Sequence, residues 1–167
     1  MFTIPNLGLS FINGFIFITI IAVIFTLITY LNNDLSNPLC KEINEAEYKL
    51  TTKEYITLYV NRFLHFLYMV TIISLPYVFA PNLHLYIIYV MLNLLLGILG
   101  KYLLGESPFS IHEKQLLNKS YLNGNSSIQP HLSLITYYDN HFIITDIIYN
   151  FNLLLVLFSL FTSPIKI

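Results

Sequence analysis

From Ser10 to Leu31 the chain reads SFINGFIFITIIAVIFTLITYL, 22 residues without one charged side chain. At about 1.5 Å of rise per residue, a helix of that length crosses about 30 Å of hydrocarbon. The rest of the sequence agrees: 56% of the 167 residues are hydrophobic and 10% are charged, where soluble domains carry about 25% charge. Mean hydropathy is +0.67. A water-soluble fold has too little polar surface to cover so much apolar material, so the bilayer is the solvent to reason with. Met1 to Leu9 contain no Lys or Arg, and no Ala-x-Ala-like cleavage site follows the run. It is therefore expected to persist as a helix rather than be removed as a secretory signal.

Three further segments have the length and apolarity of spans: Tyr59 to Ala80, His84 to Leu104 and His141 to Thr162. The second ends at an Ala80-Pro81-Asn82 turn, which makes spans two and three a tight hairpin. In the third, Lys101 can snorkel towards headgroups. Pro164 stops the fourth. The expectation is an all-α, four-helix integral membrane protein forming one domain, with spans at 10–31, 59–80, 84–104 and 141–162 and polar loops at 32–58 and 105–140. Thr51 with Glu54 has capping-box spacing, as does Ser110 with Glu113. The first opens a helix that runs into span two, the second a short surface helix over 111–118. Seven of the eight basic residues (Lys41, Lys49, Lys53, Arg62, Lys101, Lys114 and Lys119) fall in or beside the two long loops. These loops are expected on the cytoplasmic or matrix side, with both termini opposite.

Ionisable groups inside spans are costly and call for a partner. Arg62 and His65 share a face of span two near its loop-one end. Asp146 and Asn150 share a face of span four at a similar depth from the loop-three end. The topology puts both ends on one side, so an intramembrane polar cluster of Arg62, His65, Asp146 and Asn150 is expected. It admits three readings: a helix-to-helix clamp, half of a proton path through a histidine beside a carboxylate, or separate groups in which Arg62 snorkels and Asp146 favours its helix N-terminus.

A net charge of −1 with no basic block excludes the electrostatic footprint of nucleic-acid binding. Cys40 is the only cysteine, so neither an internal disulfide nor a cysteine metal cluster is available. No His-Glu-x-x-His signature, Gly-rich phosphate loop or intramembrane histidine pair spaced for haem is present, and no nucleophile stands beside a base in sequence. Neither catalysis nor a cofactor is expected. Asn13, Asn93 and Asn152 read as interhelical glue.

Between Leu64 and Leu117, His65, Pro76, His84 and the run Ser107-Pro108-Phe109-Ser110-Ile111-His112-Glu113 stand in the order of a known pattern: a histidine early in one helix, a proline late in it, a histidine at the turn, then Cys-x-Leu-Thr-x-x-Glu after the second helix. In this the chain resembles a family of uncharacterised small membrane proteins from bacteria and large DNA viruses, built on a helical hairpin. Ser107 replaces the family's cysteine. The resemblance covers about a third of the chain and implies the hairpin but no activity.

The sequence thus leads to a non-catalytic, multi-pass membrane protein, a structural or accessory component whose partners are the lipid bilayer and other membrane subunits. Two alternatives stay open. One is a supernumerary or divergent subunit of an organellar energy-transducing complex, such as one of the mitochondrial inner membrane. The other is a small transporter or proton-conducting protein.

Overall fold

The computed structural model describes residues 4–32, 50–79, 82–95, 103–122 and 141–162, with the side chains of the last segment described from Ile147 onward. These residues form five helices and no strand: α1 (Phe11–Leu31), α2 (Thr52–Val78), α3 (Leu83–Leu92), α4 (Pro108–Leu117) and α5 (His141–Thr162). The fold is all-α. Two of the helices, α1 and α2, are long and apolar enough to cross a membrane; residues 83–95 and 147–162 make shorter apolar helices.

Ser10 caps α1 by accepting from the Asn13 amide at 3.4 Å. Its threonines direct their hydroxyls back into the helix: Thr19 donates to the Phe15 carbonyl, Thr26 to Ala22 and Thr29 to Thr26, each at 2.8 Å. That leaves α1 with a surface of hydrocarbon. Only Gly14, Ile18, Ala22 and Thr29 are buried, a stripe repeating mainly at four residues and therefore lying on one face. Phe11, Ile12, Ile16, Ile20, Ile24 and Leu27 are exposed, Ile20 by 53%. Gly14 is required where it stands, because a Cβ there would enter the Phe79 ring.

Helix α2 is the hub, in contact with every other helix. Its start is a reciprocal capping box in which Thr51 Oγ1 accepts from the Glu54 amide and the Glu54 carboxylate accepts from the Thr51 amide at 2.9 Å. Helix α1 runs antiparallel to it, as the ring pairs Phe11–Phe79, Phe25–Phe66 and Tyr30–Tyr59 show. The last carbonyls of a helix lack intrahelical donors. Here the extended segment before α1 supplies them, with the Leu7 amide donating to Tyr77 O at 2.7 Å and the Leu9 amide to Val78 O at 3.0 Å.

Pro76 lies inside α2 and has no N–H, which frees the Ile72 carbonyl one turn back. Asn152 of α5 answers it: Nδ2 donates to Ile73 O at 3.0 Å and Ile72 O at 3.4 Å, and Oδ1 accepts from the Tyr77 hydroxyl at 2.7 Å. With Tyr149 against Tyr68 one turn earlier, this register makes α5 parallel to α2. Asn82 caps α3 by accepting from the His84 and Leu85 amides. Buried Ile18, Val70, Ile72, Leu75, Tyr86 and Val156 fill the space among α1, α2, α3 and α5.

One helix boundary differs from the sequence expectation. Helix α2 starts at Thr52, where the Thr51–Glu54 capping box places it, and runs on into the expected span. Helix α3 is ordinary α-helix to Leu92 and continues as a wider turn over 93–95; residues 96–102 lie outside the described set. Helix α4 begins at Pro108, not Ile111, with Ser107 as its N-cap. Ser110 is therefore inside the helix and caps nothing. Proline at the first helical position has the right φ and no amide to satisfy, and that signal outranks the Ser110-x-x-Glu113 spacing.

Candidate functional site

The loop-one half of α2 carries Asn61, Arg62 and His65 on one face, all buried. Against that face lies α4, which turns Ser110, Glu113, Lys114 and Leu117 inward. The helices run antiparallel, with Leu58 and Leu117 closing one end of the contact as a small apolar cluster.

The polar contacts follow that register. Asn61 Nδ2 donates to Phe109 O at 2.9 Å, and Asn61 Oδ1 faces His112 Nδ1 at 3.0 Å. An amide oxygen only accepts, so His112 carries its proton on Nδ1. One residue on, Arg62 Nε donates to Glu113 Oε1 at 2.7 Å, with neither side chain exposed to solvent. The guanidinium lies 5.3 Å from the Tyr59 ring centre. One turn further, His65 Nε2 is 3.4 Å from Ser107 Oγ, and its ring stacks on Phe109 at 5.2 Å. Ser107 is the N-cap of α4, but its hydroxyl makes no capping bond.

A second cluster braces α4 from behind. Gly105, at φ 75°, turns the chain in a conformation other residues rarely adopt. Glu106 then receives hydrogen bonds from both Lys114 Nζ and the Tyr121 hydroxyl. Lys114 Nζ also donates to Tyr121 Oη at 3.2 Å and lies 5.0 Å from the ring centre. Burial pushes the Lys114 ammonium below its ordinary value, opposed by the hydrogen bond and charge of Glu106. Lys119 reaches Glu54 of the capping box at 3.4 Å, but Lys119 is 65% exposed, and such pairs contribute little.

The structure therefore gives Arg62 a carboxylate, and the carboxylate is Glu113. Of the other residues expected in the cluster, His65 is one turn away, Asn150 is exposed, and the Asp146 side chain lies outside the described residues. Glu113 had a sequence signal, a charge on the inner side of a ten-residue amphipathic helix, but it was concealed by the capping-box spacing. Asn61 and Lys114 were missed altogether, since an asparagine beside an arginine and a lysine in a loop look like solvated groups. His65, Ser107 and Glu113 meet in this junction, whereas His84 is exposed at the start of α3.

Chemically the junction pairs Asn61 with Phe109 and His112, and Arg62 with Glu113, and so fastens a short polar helix to a long apolar one. Among the described residues, no three His, Cys, Asp or Glu side chains converge as metal ligands. No family model, curated protein or solved structure matches this chain.

Proposed function

We propose that this chain is a four-span integral membrane protein of structural or accessory role, using α1, α2, the segment that begins with α3, and α5 as spans. Its long loops face the cytoplasm or matrix, and its partners are other membrane subunits. The observation that carries the reading is the distribution of exposure on α1. A helix with no charge, whose Phe, Ile and Leu side chains face outward on every side but one stripe, fits a lipid solvent and not water. Helix direction supports the count: α1 runs opposite to α2, α5 runs with α2, and a short connection joins α2 to α3.

On this reading the α2–α4 junction lies at the loop side of the bilayer. It pins a juxtamembrane helix against the span and presents His112, Gln115 and Lys119 outward for contact. The role is non-catalytic, in keeping with a sequence that sets no nucleophile beside a base and carries no phosphate-loop or metal signature. Extraction of the native membrane in mild detergent, followed by native gel separation and mass spectrometry, tests it. Co-migration with a defined larger assembly is the expected result, and an energy-transducing complex as that assembly would make the chain one of its accessory subunits. Migration as a lone small oligomer that supports ion or proton flux in liposomes would contradict it.

A further inference from the structure

Arg62 uses one of its donor sites and leaves two nitrogens over. Nε is taken by Glu113, while Nη1 and Nη2 are buried with no hydrogen-bond partner among the described residues. Those two nitrogens carry four of the five N–H donors of a guanidinium, set in a planar fork that fits two oxygens of a phosphate or carboxylate. Buried, charged and unmatched donors are costly to keep, so this part of the junction is complementary to an oxyanion.

Tyr59 connects that fork to a second feature. The ring beside Arg62 also lines a groove of about 730 Å³ between α1 and α2, walled by Tyr30, Leu50, Tyr55, Ile56 and Val60 among others. The walls are mostly hydrocarbon, and the three tyrosines gather where α1 ends and α2 begins, the level at which amphipathic rings sit in a bilayer. An acyl chain suits such a groove, and a free anion gains nothing from it.

We propose that the groove and Arg62 together form a binding site for one anionic phospholipid, its acyl chain between α1 and α2 and its phosphate on Nη1 and Nη2. The inference rests on the membrane reading above. Since Arg62 has no exposure, occupancy includes a shift of the side chains that cover the guanidinium, Tyr59 among them.

The test uses the full chain, purified in mild detergent and offered equal amounts of phosphatidylglycerol and phosphatidylcholine, with bound lipid counted by native mass spectrometry. Two variants separate the two halves of the site. Val60→Trp fills the groove from an exposed position and leaves the ion pair alone, while Arg62→Met combined with Glu113→Met removes both charges together and so avoids a stranded one. The wild-type chain is expected to retain phosphatidylglycerol about tenfold over phosphatidylcholine, whose choline cation offsets the charge its phosphate brings to the guanidinium, and each variant is expected to bring the ratio close to one. Equal retention of the two lipids by the wild type overturns the proposal, as does a preference that survives both variants. Loss of the preference to excess inorganic phosphate, with Val60→Trp behaving as wild type, also overturns it in favour of a free-anion site. Alkaline carbonate extraction of the same membranes separates the two claims: a chain released to the supernatant refutes the membrane reading, whereas one that sediments but lacks lipid preference refutes this inference alone.

Discussion

Helices α1 and α4 both pack on α2, one through glycine, alanine and isoleucine, the other through glutamate, serine and leucine. The first reverses the habit of a helix in water, and the second adds buried charge to an apolar stripe of Ile111 and Leu117. The first exposes Phe11, Ile16, Ile20 and Leu27 around a narrow buried stripe, while the second buries Glu113 and Lys114 and exposes His112 and Gln115. The contrast teaches that burial is set here by what each helix meets outside. On the proposed membrane reading, apolar side chains beside lipid have no reason to turn inward, and charges near hydrocarbon turn to one another.

The contrast breaks most sharply at the Arg62–Glu113 pair. Glu113→Leu strands a buried guanidinium and is expected to cost about 3–5 kcal/mol, whereas adding Arg62→Met should recover most of that loss. Unfolding in mild detergent with increasing denaturant measures both; a single variant as stable as wild type would show that the pair holds nothing. On α1 the corresponding probe is Ile20→Lys. In lipid it costs about 2.5–3.5 kcal/mol on insertion, read as a reduced inserted fraction in a membrane insertion assay. Insertion equal to wild type would mean that Ile20 faces water.

Packing between α1 and α2 is sharpened by Gly14→Val, whose Cβ collides with Phe79. About 1–3 kcal/mol should be lost in the same unfolding measurement. Asn152→Leu removes the donor to the carbonyls near Pro76 and should cost about 1–2 kcal/mol; Pro76→Ala in the same chain should make that loss smaller, since the helix then supplies its own donor to Ile72.

The smallest effect is one of pH. Burial lowers the Lys114 pKa, so the folded chain holds its proton less firmly than the unfolded chain, and unfolding takes a proton up. Between the lowered value and the ordinary 10.5, that uptake becomes harder as pH rises, and the cost of burying the ammonium is relieved. Thermal stability of the wild type relative to Lys114→Arg should therefore grow with pH across that window, because arginine keeps its charge throughout. A constant difference would refute this.

Much of the architecture was legible because it depends on local composition. The uncharged run after Ser10 and the Thr51-x-x-Glu54 cap predict α1 and the start of α2 within a residue. Asn152 as interhelical glue was also legible, although its role beside Pro76 needed the register of α5 on α2. The junction was read only in half. Arg62 and His65 stood out as charged or titratable groups in an apolar helix, but Glu113 lies 51 residues from Arg62 and took its meaning from a competing local pattern. A local motif fixes where a helix starts, and it says nothing about which distant charge its side chains will meet.

Sidedness tests the central claim most directly, and the native Cys40 provides the first probe. A membrane-impermeant maleimide would be applied from each side to the native chain and to Cys40→Ser chains carrying Asn82→Cys, Lys119→Cys or Ile167→Cys. Four crossings predict that Cys40 and the cysteine at position 119 react from one side, and those at 82 and 167 only from the other. Labelling of positions 40 and 82 from the same side, or release of the chain from membranes by alkaline carbonate, would contradict the account.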